Sequence, residues 1–163
     1  GMSEGMKRSE VIREIMNQLN DDDIVVTTAG YISREVCHVK DRPLNFYVNG
    51  AMGNALAIGL GIALVRPERR VYVINGDGSA LMSLGTMITA KKLRPLNLWH
   101  FILDNNCHES TGGQPTSSDC VDFKYLYYNN IVIQTEKDPS IPPRIKLSCK
   151  EIQERFKNAM LRK

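Results

Sequence analysis

The hydrophobic pattern of this chain switches repeatedly between two periods. Between residues 11 and 19, apolar side chains recur three and four positions apart, as on one face of a helix, whereas residues 71–74 form an apolar run typical of a buried strand. Small residues fill the run at 54–65, and Pro67 ends it. The pattern predicts, in chain order, a helix at 11–19, a strand at 24–28, a helix through Val36, a strand at 46–48, a helix at 54–65, a strand at 71–74, a helix at 81–93 and a strand at 98–103.

Strands that alternate with helices at this spacing are typical of βαβ units, whose strands are parallel and covered by helices on both faces. We therefore predict an α/β fold of three αβα layers with a mainly parallel sheet. No repeat or linker divides the chain, so we expect one domain at residues 2–163.

The last third of the chain is less regular. Residues 111–119 read as a polar loop, 131–133 as a strand and 139–143 as an irregular segment. Ser148 and Glu151 form a capping-box pattern at the start of a final helix. The apolar residues of that helix recur at every fourth position: Ile152, Phe156 and Met160.

Composition and charge exclude several classes of protein. Hydrophobic residues make up 42% of the chain and charged residues 24%, as in ordinary globular proteins. The net charge of +3 is mild and its basic residues form no long run, which gives no reason to expect a nucleic-acid partner. The longest apolar stretch, residues 55–65, is too short to cross a bilayer, and no secretory leader is visible, so we expect a cytoplasmic protein without a membrane partner.

The cysteines predict neither a disulfide framework nor a zinc site. Cys37, Cys107, Cys120 and Cys149 lie far apart and form no CxxC pair, and the three histidines are equally scattered. We expect free thiols, as in a reducing compartment.

Two polar residues follow neighbouring predicted strands and suggest a metal site. Asp77 follows the strand at 71–74, and Asn105 follows the strand at 98–103. In a right-handed βαβ arrangement both lie at the carboxyl edge of the sheet, where open α/β sheets bind ligands. A carboxylate and an amide oxygen suit magnesium better than zinc. Gly76 and Gly78 permit a close backbone approach, and the hydroxyl and backbone N–H of Ser79 suit an anion, so we expect magnesium with a diphosphate.

By itself, the tripeptide Gly76-Asp77-Gly78 has an equally good explanation as a common turn. The chain contains neither GxxxxGK[ST] nor GxGxxG, which argues against a nucleotide-binding protein.

The order of these motifs resembles a known family. Gly76-Asp77-Gly78, then a helix and a strand, then Asp104-Asn105 is similar to the signature of thiamine-diphosphate enzymes. Over roughly residues 6–120 the chain looks most like phosphonopyruvate decarboxylases and the beta subunit of sulfopyruvate decarboxylases. The segments that carry this resemblance are residues 28–35, 41–43, 45–47, 50–53, 59–64, 103–105 and 108–114.

The resemblance implies thiamine diphosphate and Mg²⁺ as cofactors and assigns a role to each matching residue. Asp77, the side chain of Asn105 and a backbone carbonyl near Cys107 would ligate magnesium. Gly50 would accept a hydrogen bond from the aminopyrimidine, and Met52 would separate the two cofactor rings. The expected diphosphate contacts are Thr28, Ala29, Gly30, Gly76, Gly78 and Ser79. His108, as a catalytic residue, and Ser110, as a cofactor contact, would border the substrate.

Three of these residues also have simpler explanations. Met52 is explained equally well as an apolar core residue. His108 fits a loop histidine without a proton-transfer task, and Ser110 fits a residue that caps a turn.

The resemblance further implies that a partner chain is needed. In this family an activating glutamate comes from a second, similarly folded domain of about 150 residues, which this chain lacks. We therefore expect a pyrimidine-binding partner subunit, in a dimer or hetero-oligomer, and a small 2-oxo acid substrate with an anionic tail. Arg34 and Lys124 are candidates for binding that tail. Two alternatives stay open: a carboligase subunit resembling acetolactate synthase, and a cofactor-binding or regulatory subunit without catalysis.

The chain departs from the family's pattern near its C-terminus. After about residue 130 a βα segment is missing, because the chain passes quickly from Ile133 to the final helix. Two outcomes are open: loss of this segment leaves the sheet intact, or it exposes an edge of the sheet. Asn106, at a position where the family often has glycine or another small or polar residue, is a lesser departure.

Overall fold

The computed structural model describes residues 5–108, 114–115 and 118–162, and for residues 107, 108, 114 and 115 the backbone alone. Two single turns of 3₁₀ helix, Ser118–Cys120 and Phe123–Tyr125, precede the last strand. The helices are α1 (Arg8–Asn17), α2 (Tyr31–Lys40), α3 (Ala55–Val65), α4 (Asp77–Leu81), α5 (Leu84–Leu93) and α6 (Cys149–Met160). The strands are β1 (Ile24–Thr27), β2 (Asn45–Tyr47), β3 (Val71–Gly76), β4 (Leu98–Asp104), β5 (Cys107–His108), β6 (Gln114–Pro115) and β7 (Asn130–Gln134).

Five of these strands form one sheet, in which all pairs are parallel and the order is β2-β1-β3-β4-β7. The chain runs outward from β1 to β2, returns to β3, and then continues in the other direction. The connections therefore diverge between β1 and β3, which is where open sheets of this kind leave a crevice at the carboxyl ends of the strands. The predicted α/β class with a parallel sheet is confirmed.

Helices cover both faces of the sheet because consecutive strand residues point to opposite sides. On one face, α1 and α2 pack on residues such as Val25 and Ile74. On the other face, α3 and α5 pack on residues such as Val26 and Val73. The residues of β1 and most of β3 are buried, as expected for a sheet covered on both sides.

The helix predicted at 81–93 begins later, at Leu84, and a separate short helix, α4, precedes it. Ser83 leaves helical geometry, with φ −114°, between α4 and α5. Its hydroxyl donates to the backbone oxygens of Gly53 at 2.8 Å and Ser79 at 3.0 Å. A serine that binds nearby backbone groups in this way competes with the helix, and the apolar periodicity does not report it.

The C-terminal part follows the prediction. β7 is an edge strand beside β4, and residues 139–143 have no regular structure. The capping box of α6 is confirmed, since Ser148 Oγ accepts from the Glu151 N–H at 3.1 Å and the Glu151 carboxylate accepts from the Ser148 N–H at 3.2 Å. Ile152 and Phe156 are buried and Met160 is partly buried. The sheet thus retains five strands although the chain passes directly from β7 to α6.

Among the side chains that the structure describes, Cys37, Cys120 and Cys149 are free thiols, as predicted, and the side chain of Cys107 lies outside them. None of the described helices is long and apolar enough to cross a membrane.

Candidate functional site

Three strands bring the predicted site residues to one edge of the sheet. Asp77 follows β3 directly and Asn105 follows β4, and these strands are neighbours in which Gly76 lies beside Leu103. On the other side of β3, the Thr28 backbone N–H donates to the Ile74 oxygen at 3.1 Å, which holds the loop after β1 against β3. The prediction that Asp77 and Asn105 lie at the carboxyl edge of the sheet, after neighbouring strands, is confirmed.

A cleft opens between these loops, with a volume of about 90 Å³. It is lined by Arg8, Thr28, Ala29, Tyr31, Ile32, Met52, Gly76, Asp77, Gly78, Ser79, Leu103, Asn105 and Thr135. Sites for small organic ligands usually measure about 300–1,000 Å³. The cleft that the described residues form is therefore smaller than such a site.

A row of buried polar side chains leads from the cleft across the sheet. We call Thr28, Ser79, Asn75, His100 and Asn130 the buried polar chain. Four contacts link its members: Thr28 Oγ1 to Ser79 Oγ at 3.0 Å, Ser79 Oγ to Asn75 Oδ1 at 3.0 Å, Asn75 Nδ2 to His100 Nε2 at 2.6 Å and His100 Nδ1 to Asn130 Oδ1 at 2.9 Å. Asn75 and His100 are fully buried. Buried polar groups are stable only when they are hydrogen-bonded, and each member of this chain is.

Hydrogen bonds to the carboxylate of Asp104 stabilise the turn that contains Asn105. Asp104 is buried and accepts from the Asn106 N–H at 3.1 Å and the Ser118 hydroxyl at 2.9 Å. Asn106 has φ +60°, a left-handed conformation that glycine and asparagine adopt more readily than other residues. This backbone conformation accounts for asparagine at position 106.

The loop after β2 places Met52 at the mouth of the cleft. Gly53 has φ +90°, and a Cβ there would meet Met82 Cβ at 2.7 Å, so both the conformation and the close contact require glycine. Met52 is 46% exposed, which contradicts its alternative interpretation as a core residue. Gly50 is also exposed and has φ +73°.

The structure gathers eight predicted site residues in the cleft: Thr28, Ala29, Met52, Gly76, Asp77, Gly78, Ser79 and Asn105. Gly30 and Gly50 do not line it. Gly30 belongs to a neighbouring cavity that shares Ala29. Cys107 and His108 are described by backbone only, in β5, and Ser110 lies outside the described residues, so their predicted roles stay predictions.

Sequence reasoning missed Arg8, which lines the cleft and is 3% exposed. Its guanidinium donates to the Ser140 carbonyl at 2.9 Å and lies 3.6 Å from the Glu35 carboxylate and 3.8 Å from that of Asp138. Its position three residues before Val11 places it on the buried face of α1. That spacing was the available signal.

Arg8 belongs to a cluster that fastens the segment after β7 to α1. Asp138 accepts from the hydroxyl of Ser9 at 2.7 Å and that of Ser140 at 2.6 Å. Burial alone would raise the pKa of Asp138, but the hydrogen bonds from Ser140 and Ser9 outweigh it and hold that pKa well below its usual range. The carboxylate is therefore charged at neutral pH and keeps this segment beside the cleft.

The two residues predicted to bind an anionic tail lie apart from the cleft. Arg34 lines the neighbouring cavity together with Arg144. Lys124 lines a different cavity, near Asp104 and Ser118.

The donor set of the cleft fits magnesium. It offers the carboxylate of Asp77 and the amide of Asn105 on adjacent strand ends, and hard oxygen donors of this kind are what magnesium prefers. In the part of the chain that the structure describes, no group of three or more His, Cys, Asp or Glu side chains is arranged to hold a metal ion. A diphosphate would bring further oxygen ligands to the same ion.

Comparison with known proteins defines the class. The family described as thiamine pyrophosphate enzyme, C-terminal TPP binding domain, matches residues 28–158. The chain therefore belongs to this family, and its fold is that of a thiamine-diphosphate-binding domain. A solved structure, the thiamine diphosphate-dependent 4-hydroxybenzoylformate decarboxylase of Rhodococcus jostii RHA1, shares the fold over 86% of this chain and 34% of its own, with a TM-score of 0.69 and 18% identity.

Two relatives have a much higher sequence identity to this chain, and both are named as decarboxylases. The chain is 45% identical to the sulfopyruvate decarboxylase subunit beta of Methanothermobacter thermautotrophicus over 118 residues. This matched region covers 72% of this chain and 63% of that protein. It is 47% identical over 116 residues to the phosphonopyruvate decarboxylase of Streptomyces viridochromogenes, which covers 71% of this chain and 29% of that protein. The chain thus matches less than two thirds of the length of either relative.

Proposed function

We propose that this chain is the diphosphate-binding subunit of a thiamine-diphosphate- and magnesium-dependent decarboxylase. The observation that carries the proposal is the convergence of Asp77, Asn105, Thr28 and Ser79 on one cleft at the carboxyl edge of the sheet. Family membership and the names of the relatives support it.

The cofactor end of the cleft is built for a metal-bound diphosphate. Asp77 and Asn105 hold Mg²⁺, with a backbone oxygen near Cys107 as a further ligand. Ala29, Gly76 and Gly78, which line the cleft, would provide backbone close to the diphosphate, since none of them has a large side chain, and Gly30 would do so from the adjacent cavity. Ser110 is a further cofactor contact in this proposal.

The other end of the cleft orients the reactive part of the cofactor. Met52 stands at the mouth, half-exposed, where it can separate the two rings of the cofactor. In this proposal the carbonyl of Gly50 would accept a hydrogen bond from the aminopyrimidine, and His108 would act as a catalytic residue. When bound, thiamine diphosphate supplies the electron sink for loss of carbon dioxide from a 2-oxo acid.

The substrate class we propose is a small 2-oxo acid with an anionic tail. The support is the similarity to proteins named for sulfopyruvate and phosphonopyruvate, both of which carry such a tail. Arg34 and Arg144, which line the cavity beside Ala29, are the basic side chains proposed to extend the site toward an anion.

A partner subunit completes the site in this proposal. The described residues enclose only one end of the cofactor. One of the relatives is named as a subunit beta, and this name implies a multi-subunit assembly. The partner would bind the pyrimidine and supply the activating glutamate, and it would do so in a dimer or hetero-oligomer in a cytoplasmic setting.

Calorimetric titration of the full chain with thiamine diphosphate, with and without Mg²⁺, tests the cofactor site. We expect binding that requires Mg²⁺ and is lost in Asp77→Ala, because the carboxylate is the charged ligand of the metal. Asp22→Ala, which removes an exposed carboxylate elsewhere on the chain, is the matched control and should bind like wild type. Equal binding by Asp77→Ala and wild type would contradict the assignment.

Activity is tested separately, by adding a pyrimidine-binding partner subunit and measuring carbon dioxide release from sulfopyruvate and phosphonopyruvate. Release that depends on both chains supports a decarboxylase. Cofactor binding without release with any partner would favour the non-catalytic alternative, and condensation of two 2-oxo acids would favour the carboligase.

A further inference from the structure

The backbone of β7, the edge strand of the sheet, is paired on one side only. The Asn129 oxygen accepts from the His100 N–H at 3.0 Å, and the Thr135 N–H donates to the Asp104 oxygen at 2.9 Å. The odd-numbered backbone groups of this segment therefore face β4. Because backbone groups alternate in direction along a strand, the N–H and C=O of Val132 face outward. No strand among the described residues pairs with β7 on that side.

A contact just beyond β7 marks where the open edge ends. The N–H of Glu136, the next even-numbered residue after the strand, donates outward to the Met6 oxygen at 2.9 Å. Glu136 and Lys7 form a parallel bridge at the same place. The segment before α1 therefore covers the edge beside Glu136, and residues 130–134 remain uncovered within the part of the chain that the structure describes.

The sequence of β7 lacks the features that usually prevent edge strands from pairing. Such strands commonly carry charged side chains or proline, and β7 reads Asn-Ile-Val-Ile-Gln. Ile131 is 37% exposed although it is a large apolar residue. A cavity of about 610 Å³ adjoins the same edge and is lined in part by Val132 and Gln134. The edge therefore has both the composition and the space to accept a neighbouring strand.

The order of residues in β7 fits a second copy of the same strand. The strand has an amide side chain at each end, isoleucine at the second and fourth positions and valine at the centre. In an antiparallel pair of two copies centred on Val132, Ile131 faces Ile133, and Asn130 faces Gln134. A two-fold symmetric interface requires this self-complementarity, because each residue must fit its counterpart in both directions.

The opposite edge of the sheet, β2, is covered by α6. The rings of Phe46 and Phe156 are 5.4 Å apart, and the guanidinium of Arg155 lies 5.8 Å from the centre of the Tyr47 ring. Phe46 and Tyr47 point to opposite faces of the sheet, so a helix that contacts both must lie along the edge. Association through open edges would therefore stop at two copies.

We propose that the open edge of β7 binds a second copy of this chain by antiparallel pairing centred on Val132. The two sheets then form one continuous sheet, with five strands from each copy. Each Val132 N–H donates to the Val132 oxygen of the other copy. Because the paired strands are antiparallel, the carboxyl edges of the two sheets point in opposite directions, and each cleft stays open to its own partner subunit. The pairing goes beyond the proposed function and does not depend on it.

Sedimentation equilibrium of the full chain, without cofactor or partner subunit, tests the pairing. We expect a dimer whose dissociation constant rises by at least about tenfold in Val132→Pro, because proline removes the outward N–H of both copies and with it two hydrogen bonds. Edge strands tolerate proline where the N–H faces solvent, and circular dichroism establishes that the variant is folded. Val132→Thr, which keeps the N–H and the β-branched shape, is the matched control and should dimerise like wild type. A wild-type chain that is monomeric at every concentration, or equal dimerisation of folded Val132→Pro, would overturn the proposal.

Disulfide cross-linking tests the register and needs no proline. The parent protein carries Cys120→Ser and Cys149→Ser, which remove two exposed thiols and set the background. Val132→Cys places two thiols opposite each other, on Cα atoms about 5.5 Å apart, within the range of a disulfide. Gln134→Cys is the matched control, because the two copies of residue 134 would be separated by roughly 14 Å, the length of four residues along a strand.

We expect mild oxidation to convert Val132→Cys into a covalent dimer, and to leave Gln134→Cys at the background of the parent. This result would support antiparallel pairing centred on Val132 even if Val132→Pro does not fold. Cross-linking of Gln134→Cys as strong as that of Val132→Cys, or no cross-linking of either above the background, would overturn the proposal.

Discussion

Gly59 lies where α3 passes closest to the central strands, and the space around it sets how near the helix can approach. A Cβ at this position would meet Val73 Cγ2 at 2.3 Å and Leu98 Cδ1 at 3.6 Å. Gly61, two residues later in the same helix, is exposed and has no atom within 4 Å of the corresponding Cβ position. The two glycines therefore offer the same backbone change with and without a steric conflict.

The expected energies follow from this difference. Alanine stabilises a helix interior over glycine by about 1 kcal/mol, and this gain applies at both positions. At Gly59 the added methyl must displace Val73, a fully buried β-branched residue with little rotamer freedom, and overpacking of this kind costs about 1–3 kcal/mol. We expect Gly61→Ala to be more stable than wild type by up to about 1 kcal/mol. Gly59→Ala should be less stable than Gly61→Ala by about 1–3 kcal/mol.

Urea denaturation of the two variants and wild type, followed by circular dichroism, measures these free energies of unfolding. In a thermal scan, each 1 kcal/mol corresponds to about 2–4 °C for a domain of this size. The slope of the urea transition should stay the same in all three proteins, because the surface exposed on unfolding does not change. Equal stability of Gly59→Ala and Gly61→Ala would refute the reasoning, since it would mean that α3 can move away from β3 without loss.

Three further changes test other parts of the structure. In urea denaturation, Asn106→Gly should have a free energy of unfolding about 1 kcal/mol higher than that of Asn106→Ala, because alanine at φ +60° is strained. A higher free energy of unfolding for the alanine variant would contradict this. Burial holds the pKa of His100 near 4 in the folded chain, against about 6.5 in the unfolded chain, so the unfolded state binds a proton first as the pH falls. The free energy of unfolding should therefore fall by up to about 3 kcal/mol from pH 6.5 to pH 4. The free energy of unfolding of His100→Gln should depend less on pH in that window, and an unchanged slope would count against the assignment. Arg155→Lys should lose less than about 1 kcal/mol in the same assay, because the paired contacts with Asp41 at 2.8 Å and 2.5 Å are partly open to solvent; a loss of several kcal/mol would show that this pair holds α6 in place.

The alternation of apolar runs was sufficient to predict the strands and the sheet. Runs such as residues 71–74 are buried on both faces of a parallel sheet, so the hydrophobic pattern reports their environment directly. Asp77 and Asn105 were predictable for the same reason, since each lies within three residues of the end of such a run. What the pattern could not report was the break at Ser83, which depends on hydrogen bonds to Gly53 and Ser79 rather than on hydrophobicity.

The site residues that sequence reasoning missed act through long-range contacts. Arg8 reaches Ser140 and Asp138, which are more than 100 residues away along the chain, and no local pattern encodes such a contact. His100 lies within an apolar strand, where its spacing suggests only a core position. Its neighbours Asn75 and Asn130 come from two other strands, so the polar contacts are apparent only after the strand order is known.

The strand order also bears on how the chain folds. Every pair in the main sheet is parallel, so no two neighbouring strands can be joined by a hairpin. The pairing of β1 with β3 brings Ile24 beside Val71, although one strand and two helices lie between these residues in the chain. Contacts between residues so far apart along the chain slow folding, because the entropy of closing these loops is lost before the contacts form. During that interval the edges of β1 and β3 are open to pairing with other chains. The yield on refolding should therefore depend more on dilution than on the stability of the native state.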